Sequence, residues 1–261
     1  MLNTCPMIKA VLFDLDNTLL NTQELYVAAE ADLTRMILSL AKADLAEVAA
    51  EIQRRKLTLF DVYGYDPAML PQAFEEALIN FAPAASADDI LQARALGRRI
   101  FEEEAEIEAG AEDALRRLSG NFTLYLVTVG DEETQQRRIA ALSCGDVFRE
   151  KFIVSDKTRE TYLAVLSRSE CAPDEAVMIG DSLKSDIIPA VQAGMTAIHI
   201  PANNWHGREM QGYELPQERA VTHRSLSEAV DFLLSLQDAE AAPAPEALPR
   251  HRHNRGARPG Y

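Results

Sequence analysis

Two carboxylates, Asp14 and Asp16, follow the apolar run in "KAVLFDLDNTLLNT" (residues 9–22), where Val11, Leu12 and Phe13 read as a buried strand. Charge at the lip of a buried strand is costly unless a cation, a shared proton or an open cleft offsets it. Three later apolar runs end beside groups of related use. Thr128 closes "FTLYLVT" (122–128), Lys157 follows "KFIVSD" (151–156), and Asp181 closes "AVMIGD" (176–181), with Asp186 shortly after. Carboxylates, a lysine and a hydroxyl brought together suit a Mg²⁺-assisted reaction on a phosphate ester. Mg²⁺ takes hard oxygen ligands and keeps waters, so one or two carboxylates beside a substrate oxygen are enough.

Such residues meet only if the fold gathers them. The runs at 10–14, 122–128, 151–156, 176–181 and 196–201 read as strands, with helices expected over 131–142, 159–168 and 185–193. This alternation predicts an α/β fold, a Rossmann-like doubly wound parallel sheet that gathers ligands at the carboxyl ends of its strands. Residues 21–109 break the rhythm. Tyr26, Ala29, Leu33, Met36, Ile37 and Leu40 recur at helical spacing, and further helices are expected over 44–55, 71–81 and 87–107. That is too much for a crossover, so 21–109 reads as an inserted helical cap on a core formed by 1–20 and 110–237. Gly64 and Pro67 mark "RRKLTLFDVYGYDPAML" (54–70) as a loop. The segment 238–261, rich in Ala and Pro and then in Arg and His, reads as a disordered tail.

With 47% hydrophobic and 26% charged residues, the composition is that of an ordinary globular protein. A net charge of −15 argues against nucleic acid as a partner. Three cysteines are no disulfide framework, and no apolar stretch reaches the ~20 residues of a membrane span. The start, "MLNTCPMIKA", lacks the pattern of a signal peptide. A cytoplasmic protein without membrane partners is expected.

"DLDNT" (14–18), Thr128, Lys157 and "GDSLKSD" (180–186) resemble, in order and spacing, the four motifs of the haloacid dehalogenase superfamily. The helical insertion resembles that family's all-helical cap. The resemblance implies a Mg²⁺-dependent phosphatase of a small phosphorylated metabolite. Asp14 would be the nucleophile, and Asp16 the acid and base that also reaches the metal through its backbone carbonyl. Asp14 and Asp181 would ligate Mg²⁺, with Asp186 and Ser182 supporting them. Thr128, the backbone N–H of Val129 and Lys157 would hold the phosphoryl group. Arg55, Lys56, Tyr63 and Tyr65 in the expected loop are candidates to meet the leaving part of the substrate.

Plainer readings stand beside these. Thr128 can be β-branched strand filler and Asp186 an acid in a helix's first turn. Arg54, Arg55 and Lys56 can be a solvated helix end, and His199 a satisfied core histidine. Trp205 and His206 can line the cleft rim or simply pack a loop. Dehalogenation is disfavoured because dehalogenases lack a second acid at the position of Asp16. A phosphomutase would keep the same motifs, whereas a non-catalytic binding module would be expected to lose Asp14 or Lys157.

Overall fold

The computed structural model describes residues 7–202 and 212–241. Trp205, His206 and residues 242–261 lie outside the described residues. Among those described, the strands are β1 (Ala10–Phe13), β2 (Leu20–Asn21), β3 (Glu106–Ile107), β4 (Thr123–Val129), β5 (Phe148–Val154), β6 (Ala176–Gly180), β7 (Thr196–His199) and β8 (Ala220–Thr222). The helices are α1 (Gln23–Leu40), α2 (Leu45–Tyr63), α3 (Met69–Phe81), α4 (Ala87–Glu102), α5 (Ala111–Ser119), α6 (Glu132–Ala141), α7 (Arg159–Arg168), α8 (Ile188–Gln192) and α9 (Leu226–Ala241).

Six strands form one parallel sheet in the order β5-β4-β1-β6-β7-β8. Side chains alternate across a strand, so β1 feeds both faces. Val11 and Phe13 join a core with Leu115 and Leu118 of α5 and Val230 and Leu233 of α9. Ala10 and Leu12 join one with Tyr162 and Val165 of α7 and Ala190 of α8. Covered on both faces, β1 exposes only its ends, and Asp14 stands at the carboxyl end.

The helices α1 to α4 enclose a third apolar core, in which Leu33, Ile37, Val48, Ile52, Leu70, Phe74 and Ile100 are buried. Gly97 of α4 lies against the backbone of Leu70 and Pro71, where a Cβ would come within 2.7 Å of Pro71 N. The chain enters and leaves this module through β2 and β3, which pair antiparallel with Leu20 opposite Ile107 and Asn21 opposite Glu106.

The structure corrects several expectations. The loop expected from residue 54 is helical to Tyr63, because Val48, Ile52, Lys56 and Leu59 keep one buried face along α2. The fourth helix stops at Glu102, not 107, since Glu103 turns extended and residues 106–107 pair with β2. No element is expected from the sequence over 111–119, yet α5 forms there. β2, β3 and β8 are likewise unforeseen. The third expected strand, 151–156, is instead 148–154. Helix α9 takes in residues 238–241 of the expected tail.

Candidate active site

After β1 the chain makes a tight turn. Leu19 N and Leu20 N both donate to Leu15 O, at 2.9 and 3.0 Å. Asn17 takes a positive φ of 62°, a conformation that Asn tolerates better than most residues. Its Oδ1 accepts from Gln23 N at 2.8 Å, satisfying an orphan donor at the start of α1. The turn therefore fixes Asp14 and Asp16 relative to both the sheet and the helical module.

Asp14 is buried, and its carboxylate accepts from Thr18 Oγ1 at 3.0 Å and from Lys157 Nζ. Lys157 also donates to Asp186 Oδ1 at 2.7 Å, while Asp186 Oδ2 accepts from Ser182 N at 3.0 Å. Asp14, Asp181 and Asp186 each offer an oxygen within 4.8 Å of the others. Asp186 thus stands in the same cluster as Asp14 and Asp181. Gly180 makes room for it, because a Cβ there would lie 2.4 Å from the Asp186 carboxylate. Burial pushes the Asp14 carboxyl up to about 7, against the opposing pull of Lys157. Burial alone would lower Lys157, but Asp14 and Asp186 outweigh it and hold the ammonium well above its ordinary value. The hydroxyl of Thr128, on β4, is buried and has no hydrogen-bond partner in the structure. His199 donates through Nε2 to Asp181 O at 2.9 Å and, lowered by burial, stays neutral; it is a satisfied core histidine.

Asp16 makes a different set of contacts. Its two oxygens accept from Arg138 Nη1 and Gln135 Nε2 on α6, each at 2.9 Å. Neither donor is among the residues singled out from the sequence. Both sit in the polar run "QQRR" (135–138) in the middle of α6, which in the sequence reads as a solvated helix face.

Asp14, Asp16, Thr128, Lys157, Asp181 and Asp186 line one cavity of about 100 Å³, together with Gln135, Arg138, Val129, Tyr26 of α1 and Tyr65. A wider cavity of about 660 Å³ adjoins it, the two sharing Tyr65, Gly130, Asp131, Lys184 and Ser185; Tyr63 lines the wider one. Tyr63 is the last residue of α2, not part of a loop, and Tyr65 follows just beyond its end. Lys56 and Arg55 do not line either cavity. Lys56 is fully buried and pairs with Glu30 of α1, and Arg55 pairs with Glu51 and with Glu76 of α3. Because both extend from the middle of α2 and not from a loop, they tie the helices of the module together.

Residues 8–194 match the family model described as haloacid dehalogenase-like hydrolase. Over 201 residues the chain is 25% identical to N-acylneuraminate-9-phosphatase of Rattus norvegicus, an overlap of 73% of this chain and 81% of that protein. It is 26% identical over 201 residues to glyceraldehyde 3-phosphate phosphatase of Pyrococcus furiosus, covering 73% and 80%. The crystal structure of a haloacid dehalogenase-like family hydrolase from Xanthomonas campestris superposes with a TM-score of 0.76 at 26% identity, covering 90% of this chain and 99% of that one. The match runs from the strand before Asp14 to beyond Asp186, and the chain belongs to the haloacid dehalogenase-like hydrolases, as an enzyme of that family.

Proposed function

We propose that this hydrolase is a Mg²⁺-dependent phosphatase that releases phosphate from a small phosphorylated metabolite through an aspartyl phosphate. One observation carries the reading. A buried Asp14 carboxylate, a second acid two residues on and a buried Thr128 hydroxyl without a partner line one small cavity. An unsatisfied buried hydroxyl costs stability, and a phosphoryl oxygen would satisfy it. The relatives support the class, since two of them are phosphatases of small phosphorylated compounds.

In this reading an Asp14 oxygen attacks phosphorus while the ester P–O bond breaks and Asp16 gives its proton to the departing oxygen. Asp16 then takes a proton from the water that attacks the phosphorus of the aspartyl phosphate. The bond to Asp14 breaks and inorganic phosphate leaves. Thr128, the Val129 N–H and Lys157 hold the phosphoryl oxygens through both steps. Three clustered carboxylates are a hard-oxygen donor set, which fits Mg²⁺ held by Asp14 and Asp181 with Asp186 supporting them. When bound there, the ion supplies charge that stabilises the phosphoryl oxygens. The helical module acts as the cap. The phosphoryl group takes the smaller cavity, and the leaving part takes the wider one beside Tyr63 and Tyr65.

Phosphate release from p-nitrophenyl phosphate and from a panel of phosphorylated metabolites tests the reading. Asp14→Asn is expected to lower kcat by about 10³-fold or more with the fold intact by circular dichroism. EDTA should abolish wild-type turnover and Mg²⁺ restore it. Near-wild-type turnover in Asp14→Asn would refute the covalent route.

A further inference from the structure

Helix α4 ends at Glu102, so the carbonyls of its last turn have no partner within the helix. Two of them are met from the core. Arg138 Nη2 donates to Ile100 O at 3.0 Å, and Arg137 Nη2 donates to Phe101 O. Guanidinium groups suit the negative end of a helix dipole, so α6 receives the exit of the helical module by charge as well as by hydrogen bonds.

The same Arg138 grips Asp16. Its side chain is 8% exposed, and the guanidinium bridges Asp16 Oδ1 and Ile100 O through two different nitrogens. Gln135 holds the other Asp16 oxygen and also donates from Nε2 to Val129 O at 3.0 Å. The Val129 carbonyl can only accept, which fixes the amide orientation. A carboxylate held at both oxygens has one orientation, and one of its two holders also bonds the last turn of α4.

The geometry points to Arg138 as a positioning residue that couples docking of the helical module to the orientation of Asp16, with Gln135 as the fixed second hold. Moving the module away removes Ile100 O from Arg138 and leaves the guanidinium free to turn, and Asp16 with it. The inference rests on the reading of Asp16 as the acid that protonates the leaving oxygen.

Esters of similar size and different leaving groups provide the test. A p-nitrophenolate departs without a proton, whereas the alkoxide of benzyl phosphate needs one. Arg138→Met is expected to lower kcat/KM for benzyl phosphate about tenfold more than for p-nitrophenyl phosphate. Gln135→Leu should give the same sense of discrimination. Small-angle scattering should show an expanded particle for Arg138→Met and an unchanged one for Gln135→Leu. Arg138→Lys, which keeps the charge but not the two-pronged reach, should fall between wild type and Arg138→Met, and it serves if Arg138→Met does not fold. Asp16→Asn is the control. Equal losses on both esters in the Arg138 variants, with discrimination present in Asp16→Asn, would overturn the coupling alone. An absence of discrimination in Asp16→Asn would overturn the acid assignment beneath it.

Discussion

Lys157 pairs with both Asp14 and Asp186, and Asp181 offers an oxygen within 4.8 Å of theirs, so three carboxylates are concentrated at one buried point. The pH dependence of stability takes its sign from Asp14, whose carboxyl is raised from the ordinary 3.8 to about 7. Between those values the folded state holds a proton that the unfolded chain has lost, so this contribution to stability declines as pH rises from about 4 to 7 and is constant above. At 1.36 kcal/mol per pH unit the decline is bounded by about 4 kcal/mol. Lys157 acts outside this window, since its raised value removes stability only above the ordinary lysine range. In EDTA, the melting temperature of Asp14→Asn minus that of wild type should therefore grow from pH 5 to pH 7 and level off beyond. A difference independent of pH would show that Asp14 is already ionised throughout.

At the scale of elements, the tightest constraint is where α4 crosses α3. Gly97→Ala would place a Cβ 2.7 Å from Pro71 N, and neither backbone can yield without moving its helix. Overpacking of this kind costs about 1–3 kcal/mol. Urea unfolding should show that loss in the helical module, whereas an unchanged midpoint would mean that the helices separate freely. The elements differ in how plainly the sequence announces them. β1, β4 and β6 are evident because strands buried on both faces are unbroken apolar runs. The second half of α2 is not, because Lys56 occupies a core-facing position where the pattern calls for an apolar residue, and its ammonium is met there by Glu30 and the Tyr26 ring. β5 is shifted because Arg149, Glu150 and Lys151 put charge on an edge strand, where exposed positions tolerate it. For the site, Asp14, Asp16, Thr128 and Lys157 are legible at strand ends. Arg138 is not, since its two partners lie 122 and 38 residues away and a surface-like "QQRR" run gives no hint of burial.

Seen whole, the molecule is strongly acidic, at −15, yet it is proposed to admit an anionic substrate. The cations that line the smaller cavity, Lys157, Lys184 and Arg138, are local exceptions to that charge. No described helix is long and apolar enough to cross a membrane.

The pairing of β2 with β3 has a consequence for ancestry and engineering. Partners across an antiparallel ladder stand roughly 5 Å apart, so the polypeptide departs from and returns to the sheet through a single doorway. Residues 22–105 can then be replaced by a two-residue Asn-Gly turn that closes β2 and β3 into a hairpin. The shortened protein is expected to keep its sheet and to hydrolyse p-nitrophenyl phosphate slowly, without discriminating among larger esters. Failure to fold would show that the doorway is held shut by its insert. If it folds, helical modules of different size and lining are interchangeable parts, and a lineage can acquire a new substrate by swapping the insert while every strand of the sheet stays as it was.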